Sequence, residues 1–126
     1  MKNVKIPEGY AQVIPYLIVK GAGDFIQFMQ QVFDAVEIMR HMRDENVIMH
    51  AELKIGDCFI MLADSTSVYT QQTGAMFIYV DDADARYTKA LEAGATAINE
   101  PVDQSYGRSG GVTDPYGNVW WITSMK

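Results

Sequence analysis

Two stretches of the chain repeat one order of hydrophobic and polar positions. Val13 to Val19 (VIPYLIV) reads as a strand, and GAGD separates it from FIQFMQQVF. In that segment Phe25, Phe28, Met29, Val32 and Phe33 fall at i, i+3, i+4, i+7 and i+8, an apolar stripe about 100° wide that predicts a helix. Val36 to Met42 (VEIMRHM), a polar turn at RDEN, and Val47 to Ile55 (VIMHAELKI) read as two further strands, and a Gly56-Asp57 turn leads into CFIML. The predicted order is β-α-β-β-β.

The second stretch follows the same plan. Ala75 to Val80 (AMFIYV) is a strand, and Asp82 is placed to cap the next helix, since its carboxylate can accept from free N–H groups of the first turn. Ala83, Tyr87, Ala90 and Leu91 share one face of that helix, and Gly94 closes it in a left-handed conformation. Ala95 to Ile98, a loop containing Pro101, a strand around Gly110 to Thr113, and the turn DPYGN followed by VWWIT complete the module. The halves align as VIPYLIVKGAGD with GAMFIYVDDAD, QQVFDAVEI with LEAGATAI, and IGDCFIML with YGNVWWIT. Side chains alternate along a strand, so the adjacent Trp120 and Trp121 must face opposite sides. Trp120 is assigned to the helix side and the core, Trp121 to the other face.

This duplication predicts an α+β fold. The chain is read as a single domain, 1–126, with repeats at 11–64 and 74–125 and a polar linker at 65–73 (STSVYTQQT). Two curved mixed sheets would form a half-barrel with a central cleft, because neither four-stranded sheet can cover its own open face.

Composition narrows the function classes. The chain has 126 residues and a formal net charge of −6, with Lys and Arg scattered, which argues against nucleic-acid binding and membrane-surface attachment. No apolar run reaches the roughly 18 residues a membrane span needs, and MKNVKIPEGY lacks the apolar core of a signal peptide. The single cysteine, Cys58, excludes an internal disulfide and fits a reducing cytoplasm. Within CFIML it reads as a small core residue.

IPYLIV before an amphipathic helix, IMHAELKIGDCFIMLAD, LEAGATAI and YGRSGGVTDPYGNVWWI together resemble the vicinal oxygen chelate superfamily. This is the group of glyoxalases, bleomycin-resistance proteins and extradiol dioxygenases. HAELKIGD…MLAD with DPYGN…W is similar to a small bacterial branch associated with phosphonate operons. The resemblance implies a cleft that in the family's enzymes holds a divalent metal through His or Glu on the first and last strand of each module. Counting five residues back from Val19 and Val80 gives Ile14 and Ala75; four residues beyond Gly56 and Gly117 give Ile60 and Trp121. All four are apolar, and Trp121 stands where metal-dependent relatives keep a carboxylate. The reading is therefore metal-free, with no cofactor. His50 and Glu52 are the alternative metal candidates, against a plainer reading as an outward polar strand face.

Tyr16, Phe77, Tyr79 and Trp121 are then expected to line the cleft, as part of a set that includes Ile14, Ile18, Cys58, Ile60, Leu62, Ala75, Val119 and Thr123. Such a surface suits planar or cationic organic molecules held against ring faces. Gln104 to Gly111 (QSYGRSGG) is read as a loop from which Tyr106 and Arg108 close the cleft mouth, Arg108 offering a fork for a carboxylate or phosphate. The expected function is small-molecule binding or sequestration by a cytoplasmic homodimer, since family members commonly build their clefts from two chains. The alternatives are a metal-dependent lyase, isomerase or dioxygenase, and a module whose barrel is filled by its own side chains.

Overall fold

The computed structural model describes residues 1–125. In chain order the elements are β1 (Tyr16–Val19), α1 (Ala22–Phe33), β2 (Val36–Met42), β3 (Ile48–Ile55), β4 (Cys58–Asp64), β5 (Ala75–Tyr79), α2 (Ala83–Glu92), β6 (Thr96–Gln104), β7 (Gly107–Thr113) and β8 (Val119–Ser124). They form two mixed four-stranded sheets, β1-β4-β3-β2 and β5-β8-β7-β6, each with one parallel pair at an edge. The duplicated β-α-β-β-β plan is realised, and neither sheet closes.

The helices form where the apolar stripe demands a partner. Phe25, Phe28, Met29, Val32 and Phe33 are all buried, with Ile26 added to the stripe. The two modules cap their helices from equivalent strand ends. Asp64, ending β4, accepts from Ala22 N at 2.7 Å and Ile48 N at 2.8 Å, while Ser124, ending β8, accepts from Ala83 N at 3.2 Å. Asp82 caps α2 by accepting from Ala85 N at 3.1 Å, as the sequence predicts, and Gly94 follows at φ +101°. Leu91, assigned to the inner helix face, instead stays 37% exposed.

α1 and α2 pack on each other between the two sheets' inner faces, and one core runs through both modules. Phe33 of α1 meets Trp120 of β8 at 5.0 Å between ring centroids, and Tyr116 sets its ring edge-on to Phe25 at 5.5 Å. Arg86 of α2 bonds Asp34 (2.7 Å) and the Val32 carbonyl (3.2 Å) at the end of α1, tying one module to the other. The same guanidinium holds the Asp81 carboxyl down at about 2 by hydrogen bonding, against the upward push of desolvation.

Three further expectations are corrected. The first strand starts at Tyr16 rather than Val13, which is 84% exposed. The expected loop at 104–111 is a hairpin: β6 continues through Pro101, with register shifts between Ala97 and Asn99 and between Asn99 and Val102, and β7 begins at Gly107. Bulges absorb a proline that cannot donate to a ladder. The third correction concerns which face β4 presents. Ile55 pairs with Cys58 across a two-residue turn, whereas Thr113 pairs with Val119 across the five residues of DPYGN. Counting from the turn glycine therefore puts the two strands one residue out of phase, and a one-residue shift exchanges the faces. Ile60 and Leu62 are core residues, 6% and 0% exposed, equivalent to Trp120 and Ile122. Phe59 and Met61 take the opposite face.

Candidate functional site

Each sheet covers one face with helices; the other face is open on the second sheet and partly crossed by the N-terminal segment on the first, and these faces carry the candidate chemistry. On the first sheet the register aligns Tyr16, Met61, Glu52 and Met39 in one row across four strands. Residues N-terminal to β1 cross this face, and Tyr10 seats its ring on Phe59, 4.6 Å between centroids. Between that segment and the sheet lies a cavity of about 410 Å³ lined by Val4, Ile6, Tyr10, Ile14, Glu52 and Met61 among others.

Glu52 is the centre of a hydrogen-bonded chain. Tyr10 Oη donates to its Oε1 in a short bond, and His50 Nε2 lies 2.8 Å from its Oε2. Tyr16 Oη lies 3.0 Å from His50 Nδ1. With Nε2–H donating to the carboxylate, the neutral imidazole offers Nδ1 as acceptor for the Tyr16 hydroxyl, so one tautomer satisfies both contacts. His50 and Glu52 lie on the strand face away from the core residues Ala51 and Leu53, as the outward polar reading has it, but Glu52 is covered and only 4% exposed. Alternation along β3 was legible in the sequence; Tyr10, which covers the carboxylate from 42 positions away, was not. Burial pushes the Glu52 carboxyl up, but hydrogen bonds from Tyr10 and His50, with the charges of His50 and His41, outweigh it and hold it below the usual carboxylate range. The same bond raises the Tyr10 phenol, and burial together with Glu52 raises that of Tyr16.

These residues do not fit a family-type metal centre. The positions to which the resemblance assigns ligands carry Ile14, Met61 (in place of Ile60), Ala75 and Trp121, none with a nitrogen or oxygen donor in reach of a hard cation. His50 and Glu52 supply two donors already bonded to each other, and among the described residues no third His, Cys, Asp or Glu side chain joins them.

The second sheet's open face is aromatic. Phe77 and Trp121 are cross-strand partners, Phe77 lies 5.1 Å from Tyr79 and 6.1 Å from Tyr106, and Tyr106 caps the β6–β7 turn. Phe77, Tyr79 and Tyr106 are 49%, 64% and 53% exposed, so these rings fill no core. Trp121 is half-buried and rests on Gly111, where an added Cβ would come within 2.3 Å of its Cζ3. Gly111→Ala is thus expected to swing the indole off its seat with a red shift in tryptophan emission, since Trp120 stays buried; an unchanged spectrum refutes this packing. Arg108 is absent from this group. It forms a two-pronged pair with Asp84 of α2 (2.6 and 3.1 Å) and reaches Asp103 at 3.4 Å, on the helix side with the core residue Val112. The structure thus brings Phe77, Tyr79, Tyr106 and Trp121 together, leaves Tyr16 on the other sheet, and turns Arg108 away.

This architecture, with two modules backed by helices and an open face on each sheet, is matched by the family model of the Glyoxalase/Bleomycin resistance protein/Dioxygenase superfamily over residues 10–122, and the chain belongs to that superfamily. An uncharacterized protein of Mycobacterium bovis is 35% identical over 118 residues, covering 84% of this chain and 78% of that one. A counterpart in Mycobacterium tuberculosis has the same identity and 69% of its length covered. Among solved structures, TioX from Micromonospora sp. ML1 has a TM-score of 0.75 at 20% identity, over 92% of this chain and 99% of its own. The fosfomycin resistance protein FosX from Mesorhizobium loti has a TM-score of 0.68 at 17% identity, over 92% of each chain. Both share the fold. No helix of the described residues is long and apolar enough to cross a membrane.

Proposed function

We propose that this chain is a small-molecule-binding protein that works as a homodimer without a metal. The open face of the first sheet in one protomer lies against the open face of the second sheet in its partner, and the two enclose an organic ligand. Tyr16 comes from one side, Phe77, Tyr79, Tyr106 and Trp121 from the other. The observation that carries this reading is the aromatic patch Phe77–Tyr79–Tyr106, which stands exposed on an uncovered sheet face. Exposed rings at this density mark a binding surface rather than a solvated one. The ring faces favour planar molecules, and the net charge of −6 favours cationic ones.

Sedimentation velocity tests the two-chain cleft: a dimer is expected, and a monomer at every concentration overturns it. Emission from the half-buried Trp121 tests the ligand. Cationic aromatics, quinones and aromatic carboxylates form the panel, and a binder should quench wild type but not Trp121→Phe. At 100 times its dissociation constant such a ligand adds about 2.7 kcal/mol of stability, readable as a thermal shift. A panel that neither quenches nor shifts any sample defeats the binding reading.

A further inference from the structure

The cavity beneath the N-terminal segment holds a carboxylate without a permanent counter-ion. Glu52 is 4% exposed, and its ion-pair partner among the described residues is His50, which is charged only when protonated. Its other donor, the Tyr10 hydroxyl, is neutral. Lys5 shares the cavity wall without pairing to it, and His41 faces His50 across the β2–β3 ladder. Hydrogen bonds and a titratable imidazole hold this buried carboxylate ionised, and no permanent cation among the described residues pairs with it. Apart from Lys5 and Gln12 the rest of the wall is apolar, from Val4, Ile6, Ile14 and Met61 among others, with the ring of Tyr10 beside the carboxylate.

We propose that this cavity is a subsite for an organic cation, a protonated amine carrying an apolar group, with Glu52 as its counter-ion. The largely apolar wall selects against small inorganic cations, because a hard ion needs about six oxygen ligands and only Glu52, Tyr10 and Gln12 of the lining carry side-chain oxygens. A volume of about 410 Å³ suits a ring-sized amine. The ammonium takes Oε1 from Tyr10, and the apolar group lies against Ile14 and Met61. The amine competes with His50 for Glu52, and it loses its counter-ion at low pH as Glu52 gains a proton. Lys5 and His41 oppose the guest when charged, and the raised phenols of Tyr10 and Tyr16 keep their protons through neutral pH. The proposal deepens the small-molecule reading, since Glu52 and Met61 share the open face with Tyr16.

Calorimetric titration of the whole chain with 2-phenylethylammonium and its neutral counterpart 2-phenylethanol, at pH 8, tests it. The amine is expected to bind more tightly than the alcohol. Glu52→Gln, which keeps the shape, should weaken the amine by about tenfold and leave the alcohol within about twofold. His50→Gln, which removes the competing imidazole from Glu52, should keep amine binding, which guards against a folding defect in the first variant. Equal binding of both probes, with neither variant changing the amine, overturns the cation subsite and leaves the organic-ligand reading standing. Binding of neither probe also overturns it, while Trp121 quenching judges the aromatic face separately.

Discussion

Asp114→Ala is expected to lose about 3–5 kcal/mol of folding stability, because one buried carboxylate satisfies several donors that cost about 1–3 kcal/mol each when orphaned. Asp114 is 3% exposed and opens the DPYGN turn. Its Oδ1 accepts from Tyr116 N at 2.8 Å and Asn118 N at 2.9 Å; its Oδ2 accepts from Asn118 Nδ2 at 3.1 Å and Trp120 Nε1 at 2.8 Å. Asn118, fully buried, passes the constraint on by accepting from Gly74 N at 3.1 Å, just before β5. The carboxylate thus shapes the turn, orients the indole that closes the core against Phe33, and fixes the start of the parallel strand. Alanine leaves the Trp120 N–H, the Asn118 side-chain amide and two backbone N–H groups without this acceptor. A thermal midpoint about 10–20 °C lower and a loss of near-UV dichroism are the expected readings. Asp114→Asn keeps one acceptor oxygen and the volume, so it should lose about half as much. Wild-type stability in Asp114→Ala would show that the turn holds without this hub.

Gly107→Ala is the second substitution with a large expected cost, about 2–4 kcal/mol, the sum of a strained backbone and an overpacked contact. Gly107 opens β7 at φ +146°, and a Cβ there would lie 2.6 Å from the Ser124 carbonyl oxygen. A backbone atom cannot rotate aside as a side chain can, so the β7–β8 ladder must part at that point. Ser109 and Thr123, buried and bonded through their hydroxyls at 2.8 Å, lie one pair further along the same ladder. The loss should therefore reach the aromatic face as faster amide exchange along β7 and β8. Gly23→Ala is the internal comparison: it lies in α1 with nothing within 4 Å of the added atom, and alanine there should be neutral or stabilising by up to about 1 kcal/mol. Similar stabilities for the two variants would refute the steric account of Gly107.

Much of this molecule was legible in its sequence because periodicity is a local property. The stripe from Phe25 to Phe33 has to meet a core wherever the helix is placed. Adjacent tryptophans on a strand have to part, and Trp120 is indeed 1% exposed while Trp121 stands with Phe77 on the open face. Alternation marked Phe77 and Tyr79 as companions, and the apolar residues at the family's ligand positions were visible by inspection. The lengths of two hairpin turns, however, decided the phase of β4 and placed Met61 beside Glu52 in place of Ile60. The same dependence on distant packing turned Arg108 to Asp84, a partner on another element that no spacing within QSYGRSGG could indicate. It also buried Glu52, whose strand pattern is that of a solvated face until Tyr10 crosses over it. Local sequence sets which way each side chain points relative to its neighbours. What that side chain meets is set by chain segments tens of residues away, and only the assembled tertiary structure brings them together.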